Sequence, residues 1–200
     1  MGDFPPEITE RQVGSPEQNG QVGEWPPRWT SIVIVDYDPV WPQRYATGSA
    51  GIRAALGDRL LSIEHVGSTS VPGLAAKPIV DIDVILAGTE DESAYVPALE
   101  ATGYRLILRE PWWQGHRMLV DPDEDFHVHV WPRDAAEPTR HRLFRDWLRA
   151  HPDDRELYAT TKRRLAAEAG DDYTMSKSDV IDQIFARIFA ATSPPSPDTA

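Results

Sequence analysis

Two aspartates stand at strand-like spacing in an apolar segment. Asp81 and Asp83 alternate with apolar residues in the segment 78–86, so in a strand both carboxylates project from one face. Two neighbouring carboxylates repel each other unless a cation lies between them. Oxygen ligands on a rigid strand suit Mg²⁺, which keeps its remaining positions for water and substrate phosphates. The pair therefore predicts a divalent metal site, with two solvent-facing acids on an edge strand as the alternative.

Two histidines repeat the same spacing in the segment 125–131. His127 and His129 alternate there with Phe126, Val128 and Val130. An imidazole titrates near neutral pH, so either histidine could act as a general base. Both could instead join the aspartates in binding a softer ion such as Mn²⁺ or Zn²⁺. A hydrogen-bonded pair of half-buried histidines is the alternative, and His129 is the first candidate for a catalytic role, ahead of His127.

A turn of small polar residues precedes the acidic strand. Gly67 would let backbone N–H groups approach phosphate oxygens, and the hydroxyl groups of Ser68 and Ser70 would add donors. The spacing of a P-loop is absent. The turn therefore predicts a phosphate cradle of another kind, or a plain connection between two elements.

Basic and aromatic side chains elsewhere are further candidates for holding an anionic substrate. The basic candidates are Lys77, Arg109, His116, Arg117, Lys162 and Lys177. Most lysines and arginines are solvated surface residues, which is the alternative for each of them. Trp112 and Trp113 could stack on a base or on an acceptor, or could pack in the core.

Length and composition limit the class of protein. A chain of 200 residues suits one domain with a substantial core. Its net charge of −12 argues against broad nucleic-acid binding, because phosphate contacts need Lys and Arg, but leaves room for a local basic pocket. The chain has no cysteine, which excludes disulfides and thiolate chemistry. No segment is typical of a signal peptide or a membrane span, which predicts a cytoplasmic protein without a membrane partner.

The pattern of apolar residues predicts an α+β fold, with a small mixed sheet, flanking helices and a C-terminal helical segment. The expected strands are 31–35, as a buried first strand or a strand-like entry, and 59–65, 78–86, 104–109, 117–120 and 125–131. The expected helices are 42–56, 92–102, 140–151, 153–169 and 176–190. Residues 1–28 and 192–200 are predicted to be disordered tails, because they are rich in polar residues and proline. A single domain over residues 29–191 remains.

The segment 64–83 resembles the signature of the GrpB family, also called UPF0157. The resemblance continues through the segments 36–42, 116–117, 127–130, 144–149 and 158–162, and covers residues 31–190. The family is placed in the nucleotidyltransferase-fold superfamily and also occurs fused to dephospho-CoA kinase. The resemblance therefore implies a nucleotidyltransferase-like fold for this chain.

The superfamily pattern is a Gly-Ser turn followed by Asp-x-Asp on the next strand, matched here by Gly67, Ser68, Asp81 and Asp83. The resemblance implies that the acids hold Mg²⁺ (or Mn²⁺) and that the turn holds the phosphates of an NTP. It implies transfer of a nucleoside monophosphate to a small-molecule acceptor, with His116, Arg117 and Lys162 among the residues that bind the nucleotide.

The sequence departs from this pattern at the third carboxylate that the superfamily usually supplies from a neighbouring strand. The corresponding strand offers His127 and His129 instead. Three readings stay open: a histidine acts as the base, the site binds a nucleotide or a CoA-related ligand without turnover, or the chain is a metal-dependent hydrolase that uses both aspartates and both histidines.

Overall fold

A mixed sheet of six strands forms the centre of the computed structural model, which describes residues 4–12, 14, 18, 20–26, 32–168 and 176–192. The strands are β1 (Gly20–Gln21), β2 (Ser62–Val66), β3 (Val80–Leu86), β4 (Arg105–Glu110), β5 (His116–Val120) and β6 (Phe126–Pro132). Their order across the sheet is β1-β4-β5-β6-β3-β2. The strand β3 runs parallel to β6 and antiparallel to β2, and the remaining pairs are antiparallel.

Helices lie before, between and after the strands. Within the described ranges they are α1 (Pro6–Thr9), α2 (Trp41–Leu56), α3 (Val96–Glu100), α4 (Glu137–Ala150), α5 (Pro152–Ala167) and α6 (Ser178–Thr192). Short 3₁₀ helices occupy Gly57–Arg59, Ser68–Ser70 and Glu92–Ala94. The mixed α+β class predicted from the sequence is confirmed. None of the helices in these ranges has both the length and the apolar character needed to cross a lipid bilayer.

The two faces of the sheet differ in chemistry because the side chains of a strand alternate. Even-numbered residues of β3 and β6 join side chains of α2 and α3 in the main core, which includes Ile52, Leu56, Ile82, Val84, Leu99, Val128 and Val130. Odd-numbered residues of the same strands carry the predicted acids and histidines. A second core, which includes Val71, Leu74, Leu148, Tyr158 and Ile184, joins α4, α5 and α6 to the loop after β2.

Hydrogen bonds from α4 to β2 and β3 show which face of the sheet this helix approaches. Arg145 donates to the Oε2 atom of Glu64 on β2 at 2.9 Å, and His141 lies 2.9 Å from the Oδ2 atom of Asp83 on β3. The polar face of the sheet is therefore the one that α4 borders.

The described residues 32–35 do not form a buried first strand, and only Val35 pairs with another segment. Residues 32–34 belong to no strand, Val33 is 54% exposed, and Val35 makes a single antiparallel bridge to Ala76 in the loop before β3. Ser31 lies outside the described residues. A β-branched segment forms a sheet strand only where a neighbour offers an edge to pair with. Here β2 is the last strand on its side of the sheet, and this segment does not pair with it.

Two other boundaries also differ from the prediction. The strand expected from residue 59 begins at Ser62, because Gly57–Arg59 continue the preceding helix as a 3₁₀ turn and Leu61 is 49% exposed. The helix expected over 92–102 is split into a 3₁₀ turn and the five-residue α3. Pro97 lies in the first turn of α3, where its missing N–H group is tolerated.

Parts of the N-terminal segment contact the domain. Arg140 donates a hydrogen bond to the carbonyl of Ile8, the ring of Phe4 packs edge-on against Phe189 at 5.7 Å, and β1 pairs with β4. The prediction of a disordered tail over 1–28 did not anticipate these contacts. The predicted C-terminal tail lies outside the described residues except for Thr192, which ends α6.

Candidate metal centre

Three potential metal ligands meet on the polar face of the sheet, at the start of β3 and β6. One ligand atom from each of Asp81, His127 and His129 lies within 4.8 Å of the others. The Nδ1 atom of His127 is 3.4 Å, and the Nε2 atom of His129 is 3.6 Å, from the same Oδ1 atom of Asp81. The parallel register produces this grouping, because it sets Asp81 opposite His127. One carboxylate oxygen and two imidazole nitrogens therefore surround a common point.

The two imidazoles keep the Asp81 carboxyl ionised. Burial alone would raise its pKa, but hydrogen bonds and positive charge from His127 and His129 outweigh burial and hold the pKa well below its usual range. An anion therefore stands at the centre of the group across the neutral pH range.

A second layer of hydrogen bonds fixes His129. The Nδ1 atom of His129 lies 3.0 Å from Nε2 of His116, and the Nδ1 atom of His116 lies 2.8 Å from Oε2 of Glu110. Burial lowers the pKa of His116 well below its usual value, so this ring is neutral. With Glu110 ionised, His116 donates from Nδ1 and accepts at Nε2 from the Nδ1–H group of His129.

When His129 is neutral, this tautomer leaves a lone pair on its Nε2 atom, directed toward Asp81, in place of the hydrogen bond that the charged ring donates. Two hydrogen-bond acceptors 3.6 Å apart repel each other unless a cation or a proton lies between them. Metal-binding histidines are commonly oriented by a hydrogen-bond acceptor at their second ring nitrogen, and for His129 that acceptor is His116, which Glu110 holds in turn. The donor set and its support thus fit a bound metal ion.

Asp83 does not belong to this group, although the sequence predicts it as a metal ligand. It is buried, its Oδ1 atom accepts a hydrogen bond from Nε1 of Trp131 at 3.0 Å, and its Oδ2 atom lies 2.9 Å from Nδ1 of His141. Burial would lower the pKa of His141, but the charge of Asp83 and its hydrogen bond raise it to about 9. Both oxygens of Asp83 therefore have protein partners, and of the predicted pair of metal-binding aspartates only Asp81 lies in the group of three ligands.

The predicted phosphate turn packs directly on Asp81. Gly67 has φ 67°, and a β-carbon built on it would stand 2.1 Å from the Oδ2 atom of Asp81. Ser68 accepts a hydrogen bond from Nζ of Lys162 at 2.8 Å. Ser70 is buried and donates its hydroxyl proton to the carbonyl of Gly67 at 2.6 Å. Ser68 thus remains a candidate for contact with a substrate, while Ser70 stabilises the turn.

Three lysines surround the same region. Burial, together with the charge of Lys177, lowers the pKa of Lys162 to about 7, and the charge of Asp81 opposes both effects. Burial likewise lowers the pKa of Lys177 to about 8, against the effect of Asp81 and together with the charge of Lys77. The predicted candidates Lys77, Lys162 and Lys177 therefore lie within electrostatic reach of each other or of Asp81.

Two predicted arginines lie elsewhere. Arg109 and Arg117 each form an ion pair with Glu92 at 2.7 Å. Arg117 pairs in register with Val130, whose side chain belongs to the main core. Because these ion pairs hold both guanidinium groups away from the polar face, the structure does not bring Arg109 or Arg117 to the candidate metal centre. His116 does reach it, as the support of His129.

The two tryptophans that were candidates for stacking on a substrate both pack against other residues of the chain. Trp113 packs edge-on against Trp131 and against His116, each with ring centroids 5.0 Å apart, so its packing role is the one observed. The ring of Trp112 packs against the backbone of Gly14.

Sequence reasoning missed Glu110 and His141. His141 stands four residues after Glu137 in the first turns of α4, which was its only local signal, and Glu110 had none.

A family model described as GrpB protein matches residues 31–187. The chain belongs to the GrpB family. It is 44% identical over 173 residues to a UPF0157 protein of Halalkalibacterium halodurans, covering 85% of this chain and 89% of that protein. It is 48% identical over 168 residues to a UPF0157 protein of Streptomyces coelicolor, covering 82% and 88%. The resemblance predicted from the sequence is confirmed at the level of the family.

A solved structure and a longer relative extend the comparison. The crystal structure of conserved protein GrpB from Enterococcus faecalis superimposes with a TM-score of 0.71 at 31% identity, covering 80% of this chain and 98% of that one. A protein of Mycolicibacterium paratuberculosis named Dephospho-CoA kinase is 28% identical over 171 residues, which is 70% of this chain and 41% of that protein. The GrpB-like fold is therefore shared, while the kinase has more than half of its length outside the match.

Proposed function

We propose that this GrpB chain is a metal-dependent nucleotidyltransferase, which transfers a nucleoside monophosphate from an NTP to a small-molecule acceptor. The observation that carries the proposal is the convergence of Asp81, His127 and His129 within 4.8 Å, beside a Gly-Ser turn. Two further features support a nucleotidyltransferase-like arrangement. The turn connects β2 to β3, and β6 lies next to β3, where the superfamily usually carries its third carboxylate.

The donor set suits Mn²⁺ or Zn²⁺ better than Mg²⁺. Magnesium prefers oxygen ligands, whereas imidazole nitrogens suit transition metals and zinc. Asp81 offers an oxygen, and His127 and His129 offer nitrogens. A metal ion bound there would neutralise charge on the phosphates of the substrate.

The chain itself supplies cations for the remaining phosphate oxygens. Lys162 and Lys177 are both within electrostatic reach of Asp81, and Lys162 contacts Ser68 of the turn. The chain as a whole is acidic, with a net charge of −12, so an anionic substrate is attracted to this region and repelled elsewhere. This distribution of charge favours a small phosphorylated substrate over a polymer.

A metal-dependent phosphohydrolase is the second candidate. Asp83 is held by Trp131 and His141 and contributes no oxygen to the group, so the structure offers one carboxylate instead of the two that a pair of Mg²⁺ ions needs. A single ion with imidazole ligands is typical of centres that activate water. Water would then replace the acceptor.

The two candidates differ in their products. We would incubate the full chain with each NTP and with Mn²⁺, Zn²⁺ or Mg²⁺, with and without a panel of hydroxyl and amine acceptors. Dephospho-CoA belongs in that panel because of the name of the longer relative. Pyrophosphate release that needs an acceptor supports the transferase, and metal-dependent turnover without an acceptor supports the hydrolase. Tight NTP binding without either product would indicate a ligand-binding module.

Matched variants assign the activity to the site. Asp81→Asn removes the central carboxylate, whereas Asp58→Asn removes an exposed carboxylate after α2. The proposal expects loss of turnover in the first variant and none in the second. Equal turnover in both variants would refute the assignment.

A further inference from the structure

Lys162 is a buried lysine without an ion-pair partner among the residues that the structure describes. It reaches from α5 to the turn after β2, and only 2% of its surface is exposed. Its Nζ atom contacts the Oγ atom of Ser68 and the carbonyl of Ala75, and it lies 4.5 Å from the centroid of the Tyr158 ring. A buried ammonium group without an ion-pair partner is strongly destabilised, and the charge of Asp81 offsets only part of that cost. The site therefore favours the neutral amine more than a solvated lysine does.

A neutral amine next to a hydroxyl group can accept its proton. The distance of 2.8 Å between Nζ of Lys162 and Oγ of Ser68 is the hydrogen-bond distance required of a nucleophile and its base. Burial lowers the pKa of Lys162 to about 7, in agreement with this geometry. Both protonation states of the amine are then accessible near neutral pH.

The other two hydroxyl groups of the turn have different partners. Thr69 is hydrogen-bonded to Nε2 of His65 at 3.1 Å, and Ser70 donates to the carbonyl of Gly67. Both are buried, whereas Ser68 is only half-buried. Ser68 is thus the hydroxyl of this turn that combines a basic neighbour with access from solvent. It directly follows Gly67, whose backbone lies against the Asp81 side chain of the metal centre.

We propose that Ser68 is a nucleophile and Lys162 its base, so that nucleotidyl transfer proceeds in two steps through a covalent nucleotidyl-serine. This inference rests on the proposed function, since it assumes an NTP substrate. In the first step a bond forms between Oγ of Ser68 and the α-phosphorus of the NTP. The bond from that phosphorus to the bridging oxygen breaks, pyrophosphate leaves with the electron pair, and the hydroxyl proton passes to Nζ of Lys162.

In the second step the acceptor hydroxyl attacks the same phosphorus. The bond between phosphorus and Oγ of Ser68 breaks, Lys162 returns its proton to that oxygen, and the acceptor proton passes to solvent. The chain is restored, and the net reaction is the transfer of one nucleoside monophosphate with release of one pyrophosphate. Neither step needs an oxidant or a reductant.

Intact-protein mass spectrometry tests the proposal. The full chain is incubated with each NTP and Mn²⁺ without an acceptor, and pyrophosphate is measured in parallel. We expect the added mass of one nucleoside monophosphate per chain, located on Ser68 by peptide fragmentation, and a burst of one pyrophosphate per chain. Ser68→Ala should abolish both, while Ser93→Ala, at an exposed serine in the Glu92–Ala94 turn, should leave both unchanged.

Variants of the lysine separate a base from a residue that only holds the turn. Lys162→Met removes the amine, whereas Lys162→Arg keeps a cation and hydrogen-bond donors but cannot accept a proton. We expect both to lose the adduct, and Arg164→Gln, an exposed site on the same helix, to keep it. Circular dichroism and urea unfolding identify any variant that fails to fold. If a Lys162 variant fails to fold, Ser68→Ala still tests the proposal.

Two results would overturn the proposal. If acceptor-dependent pyrophosphate release proceeds at the same rate in Ser68→Ala as in the natural chain, and no adduct forms, Ser68 is not a nucleophile and the proposed function stands without it. If no NTP yields pyrophosphate or an adduct with Mn²⁺, Zn²⁺ or Mg²⁺, the nucleotidyltransferase function fails together with the covalent step. An adduct confined to Ser68 would support both.

Discussion

Gly67 and Asp81 are in direct contact, and the contact leaves no room for a side chain at residue 67. A β-carbon there would stand 2.1 Å from Oδ2 and 2.8 Å from Cγ of Asp81. Gly67 also has φ 67° and ψ −173°, a conformation that residues with a β-carbon rarely adopt. The glycine thus lets the turn that carries Ser68 approach the carboxylate of the metal centre.

Gly67→Ala should therefore displace Asp81 and weaken metal binding. Gly73→Ala is a matched control, because Gly73 lies in the same loop with φ 79° but has only one atom, Nε of Arg155, at 4.0 Å. Both variants should lose about 1–3 kcal/mol of unfolding free energy from backbone strain. We expect only Gly67→Ala to lose affinity for Mn²⁺ or Zn²⁺, by about 10- to 100-fold in isothermal titration calorimetry. Equal metal affinities in the two variants would contradict a functional contact between the turn and Asp81.

Asp81 and Asp83 should respond differently to loss of charge. Asp81→Asn removes a metal ligand, so metal affinity should fall below detection while the chain stays folded. Asp83→Asn leaves His141 and Trp131 facing an amide in a buried site. It should lower the free energy of unfolding by about 3–5 kcal/mol, the usual effect of breaking a buried charge pair.

Urea unfolding and metal titration on the same two samples make the comparison. The predicted pattern is a large loss of metal affinity for Asp81→Asn and a large loss of stability for Asp83→Asn. If Asp83→Asn, measured at a temperature where it is folded, loses metal as completely as Asp81→Asn does, both carboxylates bind the ion and the pair expected from the sequence is restored.

Glu110 should affect metal binding without touching the metal. It lies 2.8 Å from His116, which in turn holds Nδ1 of His129. Glu110→Gln removes the charge that favours the tautomer with a free lone pair on Nε2 of His129. Metal affinity should fall about 10- to 100-fold, as is typical when the hydrogen-bond partner of a ligating histidine is removed. Glu100→Gln, at an exposed position in α3, serves as the control and should bind metal like the natural chain.

The elements that carry the site could be predicted, because their signal is local. Apolar and polar residues alternate in β3 and β6. This alternation correctly predicts that the side chains of Asp81 and His127 project from the polar face of their strands. The parallel pairing that brings these two residues together has no local signal, since it joins positions 46 residues apart in the chain (127 − 81 = 46). The family resemblance predicted that these two strands are neighbours, and the observed pairing confirms it.

The hydrogen-bond partners of Asp83 could not be predicted, for a similar reason. Its partners Trp131 and His141 lie 48 and 58 residues further along the chain. Nothing in an Asp-x-Asp motif distinguishes an oxygen that binds metal from one that accepts a hydrogen bond from an indole. The segment 31–35 shows the opposite case: its β preference is strong, but in the folded chain it makes only the bridge from Val35 to Ala76 and pairs with no strand of the sheet.

His65 should make the stability of the chain sensitive to acid. Its ring stacks on Tyr45 with centroids 4.7 Å apart, and its Nε2 atom is hydrogen-bonded to Thr69. Burial lowers its pKa to about 4, although the charge of Asp81 opposes that shift. In the unfolded chain a histidine titrates near 6.5. Between these values the unfolded chain binds a proton that the folded chain does not, so stability is complete above about pH 6.5 and falls as the pH drops toward 4.

His65→Gln removes this titration and keeps a side chain that can bond to Thr69. The stability advantage of the natural chain over the variant should therefore shrink between pH 7 and pH 4, by up to about 3 kcal/mol, the size of a shift of this extent. Urea unfolding at pH 7, 6, 5 and 4 without added metal measures the difference directly. Parallel curves for the two chains over this range would show that His65 takes up its proton equally in the folded and the unfolded chain, and that burial behind the turn does not keep its ring neutral.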